Sequence, residues 1–289
     1  GRLLIRLLDV TSGKVEFEGQ DITAMKEAEF AKIRRQLQII FQDPYASLNP
    51  RMSVAKIIAE PLTTYGMKDK KELEARVKEL MKEVGIPEEF YNRYPHQFSG
   101  GMRQRAVLAV ALAGNPEILF ADEPTTALDV TVQAQILDLF RDIQKKLGTS
   151  IVFVTHDLGA VARVADRVAV MYAGKIVEIG TADEIFYDPR HPYTKGLMRA
   201  LPAASIGKDA LYTIPGMPPT LIDPPKGDAF ACRNEQALAI DYEEEPPMFQ
   251  ISDTHFAATW TLDARAQQGG SGEEKVRQSG SSVKSMQQA

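Results

Sequence analysis

One cysteine, Cys232, and one tryptophan, Trp260, stand in a chain of 289 residues. A lone thiol excludes an intramolecular disulfide framework and any metal or iron–sulfur centre built from several cysteines, as suits a reducing cytosol. No apolar run approaches the roughly 18–20 residues that a membrane-spanning helix needs. Nor does a signal peptide open the chain, because Arg2 and Arg6 interrupt the first apolar stretch, Leu3 to Leu8. Any action at a membrane is therefore expected from the cytosolic side, through a partner. The formal net charge of −5 gives no general attraction to nucleic acid or an anionic bilayer.

What is present is ordinary for a globular protein: 44% apolar and 25% charged residues, enough for one large or two modest domains. The first residue is Gly1, and Leu3, Leu4, Leu7 and Leu8 recur at helical spacing. Residues 1–8 thus read as the later part of an amphipathic helix whose start is absent. After turn chemistry at Thr11-Ser12-Gly13, Val15 and Phe17 read as a short strand. Gln38 to Phe41 is a second strand, and 53–93 is a charged stretch with helical spacing. An Ala-rich helix follows over 102–113, then a buried strand at Ile118 to Ala121 and a long helix from Ala134 to Leu147. Ser150 to Thr155 is another buried strand, 158–165 a helix, and Val168 to Ile179 a hairpin turning at Ala173-Gly174. Strands alternating with helices predict an α/β domain with a largely parallel sheet, interrupted by a helical insertion. From about 181 proline and glycine become dense, which predicts an irregular extension. The polar, Gly/Ser-rich stretch 265–289 is expected to be disordered.

The strongest motif is ILFADEPTTALD, residues 118–129. An apolar strand delivers Asp122 and Glu123 at its carboxyl end, where open α/β sheets place ligands. One acid there can hold Mg²⁺ on nucleotide phosphates while the other polarises an attacking water. Phe98-Ser99-Gly100-Gly101-Met102 opens a helix, so backbone N–H groups at the positive end of its dipole can face a phosphate.

These segments resemble the ABC ATPase family. FSGGM (98–102) is similar to the family signature, ILFADE (118–123) to the Walker B strand, and Ala127-Leu128-Asp129 to the D-loop. Thr155-His156-Asp157 is similar to the switch-histidine loop, and Gln42 to the Q-loop glutamine. The resemblance implies a P-loop NTPase-like α/β fold with a mostly parallel sheet, a helical subdomain and an irregular C-terminal extension. It also implies roles. Asp122 would position Mg²⁺ and Glu123 would be general base to the hydrolytic water. His156 would contact the γ-phosphate, and Gln42 would sense the metal and the water while linking to a membrane subunit. Ser99, Gly100 and Gly101 would bind the γ-phosphate of ATP held by the opposite subunit, and Asp129 would couple the two sites.

Further segments narrow the resemblance to oligopeptide/dipeptide importer ATPases: FQDPYASLNPRMSV (41–54), HPYTKGLMRALP (191–202) and IPGMPP (214–219) with PPKGDAF (224–230). The loop at 41–54 is closer to one of the two subunit types of such importers, and the chain from 99 onward to the other. Two departures stand out. The phosphate-binding loop GxxxxGK[ST] does not occur in these residues, which leads us to expect an N-terminally truncated sequence. Some relatives carry a cysteine cluster in the extension; here Cys232 alone remains, so no cluster is assigned.

The expected organisation is a partial ATP-binding core (1–52), a helical subdomain (53–98), the signature, Walker B and H-loop part of the core (99–180), the extension (181–264) and a tail (265–289). The function implied is ATP hydrolysis energising peptide import, with ATP and Mg²⁺ sandwiched in a dimer. Implied partners are a second ATPase subunit, transmembrane permeases and, indirectly, an extracytoplasmic peptide-binding protein; no nucleic acid is implied. The place implied is the cytoplasmic face of the membrane, peripherally. The alternatives are a fragment with no ATPase activity of its own and a non-transport ABC ATPase. The latter is disfavoured because only residues 43–98 separate Gln42 from Ser99, too few for a long coiled coil. Trp260 and Phe256 are expected to be packing anchors, His191 a structural turn residue, and Glu243-Glu244-Glu245 a solvated run. Arg103 and Arg105 are expected to face acids or a partner.

Overall fold

Three apolar segments, β3 (Leu37–Ile40), β4 (Ile118–Asp122) and β5 (Ser150–Val154), pair in parallel in that order. In register, Ile118 lies opposite both Leu37 and Ser150. The central strand buries Leu119, Phe120 and Ala121, and so is apolar on both faces. The computed structural model describes residues 1–201 and 212–263. The chain divides between Ala165 and Asp166 into two compact units. The disorder expected for 265–289 lies outside the described residues.

In the first unit, Leu119 and Ala121 pack with helices α5 (Gly100–Leu112) and α6 (Val130–Leu147), through Leu108, Leu112, Ile136 and Phe140. Phe120 faces the other way, toward Phe30, Ile22 and Ile5. Phe30 belongs to α1 (Glu27–Arg34), a helix that the sequence did not announce. Only one of its side chains is fully buried, so apolar periodicity is faint. Acids in its first turn and bases in its last suit the helix dipole. After the single turn α2 (Pro44–Ser47), helices α3 (Val54–Thr64) and α4 (Lys70–Glu83, capped by Asp69) occupy the stretch expected to be helical, and bury Ile58, Leu62, Val77, Leu80 and Met81. Helix α7 (Leu158–Val164) follows β5.

Two expectations are corrected here, and a third, the short strand, is present and extended. Residues 1–8 form turns: Ile5 N–H reaches the Gly1 carbonyl, but Arg6 has φ of 54°, which no helix accommodates. The strand at 15–17 is half of a small hairpin, β1 (Glu16–Phe17) and β2 (Gln20–Asp21). Glu18 and Gly19 both take positive φ, as a two-residue type I′ turn requires. Among the described residues Arg103 and Arg105 donate to backbone carbonyls and not to acids. Arg103 Nε donates to the Pro95 carbonyl at 2.8 Å, beneath the Tyr45 ring at 4.0 Å. Arg105 Nη1 donates to the Val84 carbonyl at 2.7 Å, through space that a side chain at Gly85 would fill.

The second unit is built on an antiparallel sheet in the order β6 (Arg167–Tyr172), β7 (Lys175–Thr181), β9 (Phe256–Ala257), β8 (Phe249–Gln250). Ala173 and Gly174, both at positive φ, make the expected turn between β6 and β7. Because β7 pairs with β9, the hairpin belongs with the extension. Helices α8 (Ala182–Tyr187) and α9 (Pro192–Arg199) are short, and the rest is largely irregular. A buried carboxylate organises it. Glu178 on β7 accepts from Arg190 N–H at 2.6 Å, His191 N–H at 3.0 Å and His255 Nε2 at 2.8 Å. His191 is a structural residue, since its Nδ1 caps α9 by accepting from Tyr193 N–H at 3.0 Å. Trp260 is buried and donates to the Glu244 carbonyl, Phe256 lies in β9, and Glu245 pairs with Lys175 at the surface. Among the described residues no helix is long and apolar enough to cross a membrane.

Candidate active site

Parallel strands in one sheet end at one edge, and there residues distant in the chain converge. β3 ends just before Gln42, β4 at Asp122 and Glu123, and β5 just before Thr155 and His156. Glu123 still donates its N–H to the Val154 carbonyl at 2.9 Å, yet its φ of 47° swings the chain out of the strand. A positive φ at a residue that is neither glycine nor asparagine costs on the order of 1–3 kcal/mol and concentrates at functional positions.

The Glu123 carboxylate is met from three sides. Gln42 Nε2 donates to Oε2 at 2.8 Å, Thr126 Oγ1 donates to the same oxygen at 3.0 Å, and His156 Nδ1 lies 3.1 Å from Oε1. The hydrogen bond from His156 and then that from Thr126 hold the carboxyl below its ordinary pKa. An ionised carboxylate has no proton to give, so His156 donates from Nδ1. The imidazole is 71% exposed, and so its bond to Glu123 is easily exchanged for one to a ligand. Behind it the loop is stiff. Asp157 caps α7 by accepting from Gly159 and Ala160 N–H, and also accepts from Gln133 Nε2 on α6.

Asp122 ends β4 half-buried, and its side chain makes no hydrogen bond among the described residues. Ser99, Gly100, Gly101 and Asp129 form a second group. None of them bonds to the Glu123 cluster among the described residues. Ser99 Oγ caps α5 by accepting from Met102 N–H at 3.3 Å, and Asp129 caps α6 by accepting from Val132 N–H at 3.0 Å. The glycines have a packing role within the chain as well. A Cβ on Gly101 would lie 2.4 Å from Val132 Cγ1, and one on Gly100 would lie 3.3 Å from Leu128 Cδ2. They let the start of α5 close onto the segment 128–132. Sequence reasoning passed over Thr126. Its signal is a hydroxyl residue three places after Glu123, which is hard to read in a run of two threonines.

The family described as ABC transporter matches residues 2–126, and the oligopeptide/dipeptide transporter C-terminal region matches residues 177–240. The oligopeptide transport ATP-binding protein OppD of Bacillus subtilis is 58% identical over 254 residues, covering 86% of this chain and 71% of that protein. The dipeptide transport ATP-binding protein DppD of Lactococcus lactis is 57% identical over 263 residues, covering 89% and 75%. Among solved structures, cbiO1 from Clostridium perfringens, part of the ABC transporter complex cbiONQ, superposes with a TM-score of 0.59 at 30% identity, covering 65% of this chain and 73% of that one. The ATP-binding cassette MJ0796, in a dimeric post-hydrolysis state bound to ADP and Pi, has a TM-score of 0.56 at 30% identity, covering 63% and 78%. With strand-end acids, a helix-opening Ser-Gly-Gly and this degree of identity along most of its length, the chain belongs to the ATP-binding proteins of ABC-type oligopeptide and dipeptide transporters.

Proposed function

We propose that this chain is an ATPase subunit that energises uptake of oligopeptides or dipeptides. It would work at the cytoplasmic face of the membrane with a second ATPase subunit and permease subunits, and indirectly with an extracytoplasmic peptide-binding protein. The observation that carries the reading is the meeting of Gln42 and His156 on the Glu123 carboxylate, at 2.8 and 3.1 Å, from the ends of adjacent strands.

In the hydrolytic step Glu123 accepts a proton from water as the water oxygen bonds to the γ-phosphorus. The bond from that phosphorus to the bridging oxygen breaks, and ADP leaves with the electron pair. His156, released from Glu123, offers a donor to the γ-phosphate oxygens. Ser99 and the first N–H groups of α5 bind the γ-phosphate of ATP held on the partner subunit, and Asp129 lies beside them at the start of α6. Residues 53–98 serve as the helical subdomain, and 181–264 serve as the extension, with the β6–β7 hairpin attached to it.

The chain also fits Mg²⁺. The Asp122 carboxylate and the Gln42 amide oxygen, neither engaged in a hydrogen bond among the described residues, are the hard oxygen donors that such an ion takes. Bound with ATP, the ion would neutralise phosphate charge.

Glu123→Gln in the full protein tests the reading. ATP turnover should fall by roughly 10²-fold or more while ATP binding persists. Undiminished turnover would remove Glu123 as the base.

A further inference from the structure

Three donors hold the Glu123 carboxylate, but they are not equivalent. Gln42 and His156 follow the two strands that flank β4, 81 and 33 residues away in the chain, and both are exposed. Under the function proposed above, both turn toward nucleotide and metal, and their bonds to Glu123 are given up. Thr126 lies three residues on, within the same turn, whose backbone closes from Thr126 N–H to the Glu123 carbonyl at 3.4 Å. Its hydroxyl bond, 3.0 Å to Oε2, needs no change of loop to persist.

We propose that Thr126 is a positioning residue for the hydrolytic base: its hydroxyl fixes Glu123 Oε2 so that Oε1 remains directed at the water once Gln42 and His156 have moved. The inference rests on the reading of Glu123 as base.

The chemistry favours this division of labour. Re-aligning a glutamate side chain that has been set free costs rotamer entropy at every turnover. Threonine is stiff at χ1, so its hydroxyl is a well-placed donor. One donor on one oxygen leaves the other with its lone pairs available for the proton of the attacking water. Glu123 itself sits at a positive φ, where the strand no longer steers its side chain, and so a local tether substitutes for the pleat.

The test compares Thr126→Val, which keeps the shape and removes the hydroxyl, with Thr126→Ser, which keeps the hydroxyl, in the full protein. Thr126 is exposed, so neither exchange disturbs the core. Thr126→Val should lower kcat for ATP hydrolysis about five- to tenfold, with KM for ATP unchanged within twofold. Thr126→Ser should restore kcat to within about twofold of the parent. Glu123→Gln is measured alongside. If Glu123→Gln abolishes turnover and Thr126→Val does not slow it, Thr126 has no positioning role although the base assignment stands. Equal losses in the Val and Ser variants, or a change confined to KM, would likewise overturn the proposal. Undiminished turnover in Glu123→Gln would instead remove the reading beneath it.

Discussion

His156 Nδ1 lies 3.1 Å from Glu123 Oε1, across the ends of two adjacent parallel strands. The pair is a poor source of stability, because the imidazole is largely exposed and the carboxylate partly so. Its value is geometric: one hydrogen bond holds an exposed imidazole beside the Glu123 carboxylate.

Function and stability should therefore separate at this position. His156→Ala is expected to reduce ATP turnover by about 10²-fold or more, the scale of losing a preorganised donor. The thermal midpoint of the first unit should change by less than about 1 °C, as surface pairs contribute little. A large fall in stability accompanying the loss of activity would show the residue to be structural.

Gly101 is predicted to be constrained from within its own chain as well as by any nucleotide. Gly101→Ala would place Cβ 2.4 Å from Val132 Cγ1, forcing apart the starts of α5 and α6. Overpacking of this kind costs about 1–3 kcal/mol. Adding Val132→Ala removes the obstructing methyl and should recover most of that loss in chemical denaturation. If the double variant is no more stable than Gly101→Ala, the contact does not decide the residue.

The second unit should carry a pH-dependent term. Burial pushes the Asp228 carboxyl up to about 6 from an ordinary value near 3.8. An acid with a raised folded pKa favours the folded state at low pH, and that contribution is lost as pH rises from about 4 through about 6. Asp228→Asn keeps the acceptor that Phe230 N–H uses and removes the charge. It should stabilise the unit at pH 7.5 by about 1–2 kcal/mol, with the gain vanishing near pH 4. Buried His191, 4.0 Å away and lowered to about 4, has the opposite sign: its share is present above about 6.5 and is lost as pH falls toward 4. Comparing Asp228→Asn with the parent at each pH isolates the carboxylate. A pH-independent difference between them would refute the assignment.

Much of the site was legible because its signals are local. An apolar run that ends in Asp122-Glu123, a Ser-Gly-Gly ahead of an Ala-rich helix, and a histidine after a β-branched run each report their own backbone setting. What was not legible depends on few residues or on long range. α1 rests on one fully buried side chain, Phe30, too little for a period to show. The turn at Glu18-Gly19 splits a short apolar alternation that reads equally well as one strand. The Glu178–His255 pair joins residues 77 apart, and nothing near either residue points to the other.

The order and type of the main elements and the residues able to do acid–base chemistry follow from the sequence, because apolar periodicity and strand-end chemistry are written in neighbouring residues, and the family follows from the resemblance of its motifs. Tertiary structure alone decided that Gln42 and His156 share one carboxylate, and that Gly101 owes its missing side chain partly to Val132. Those facts depend on distances between segments brought together by the parallel sheet and its covering helices, and spacing along the chain does not encode them.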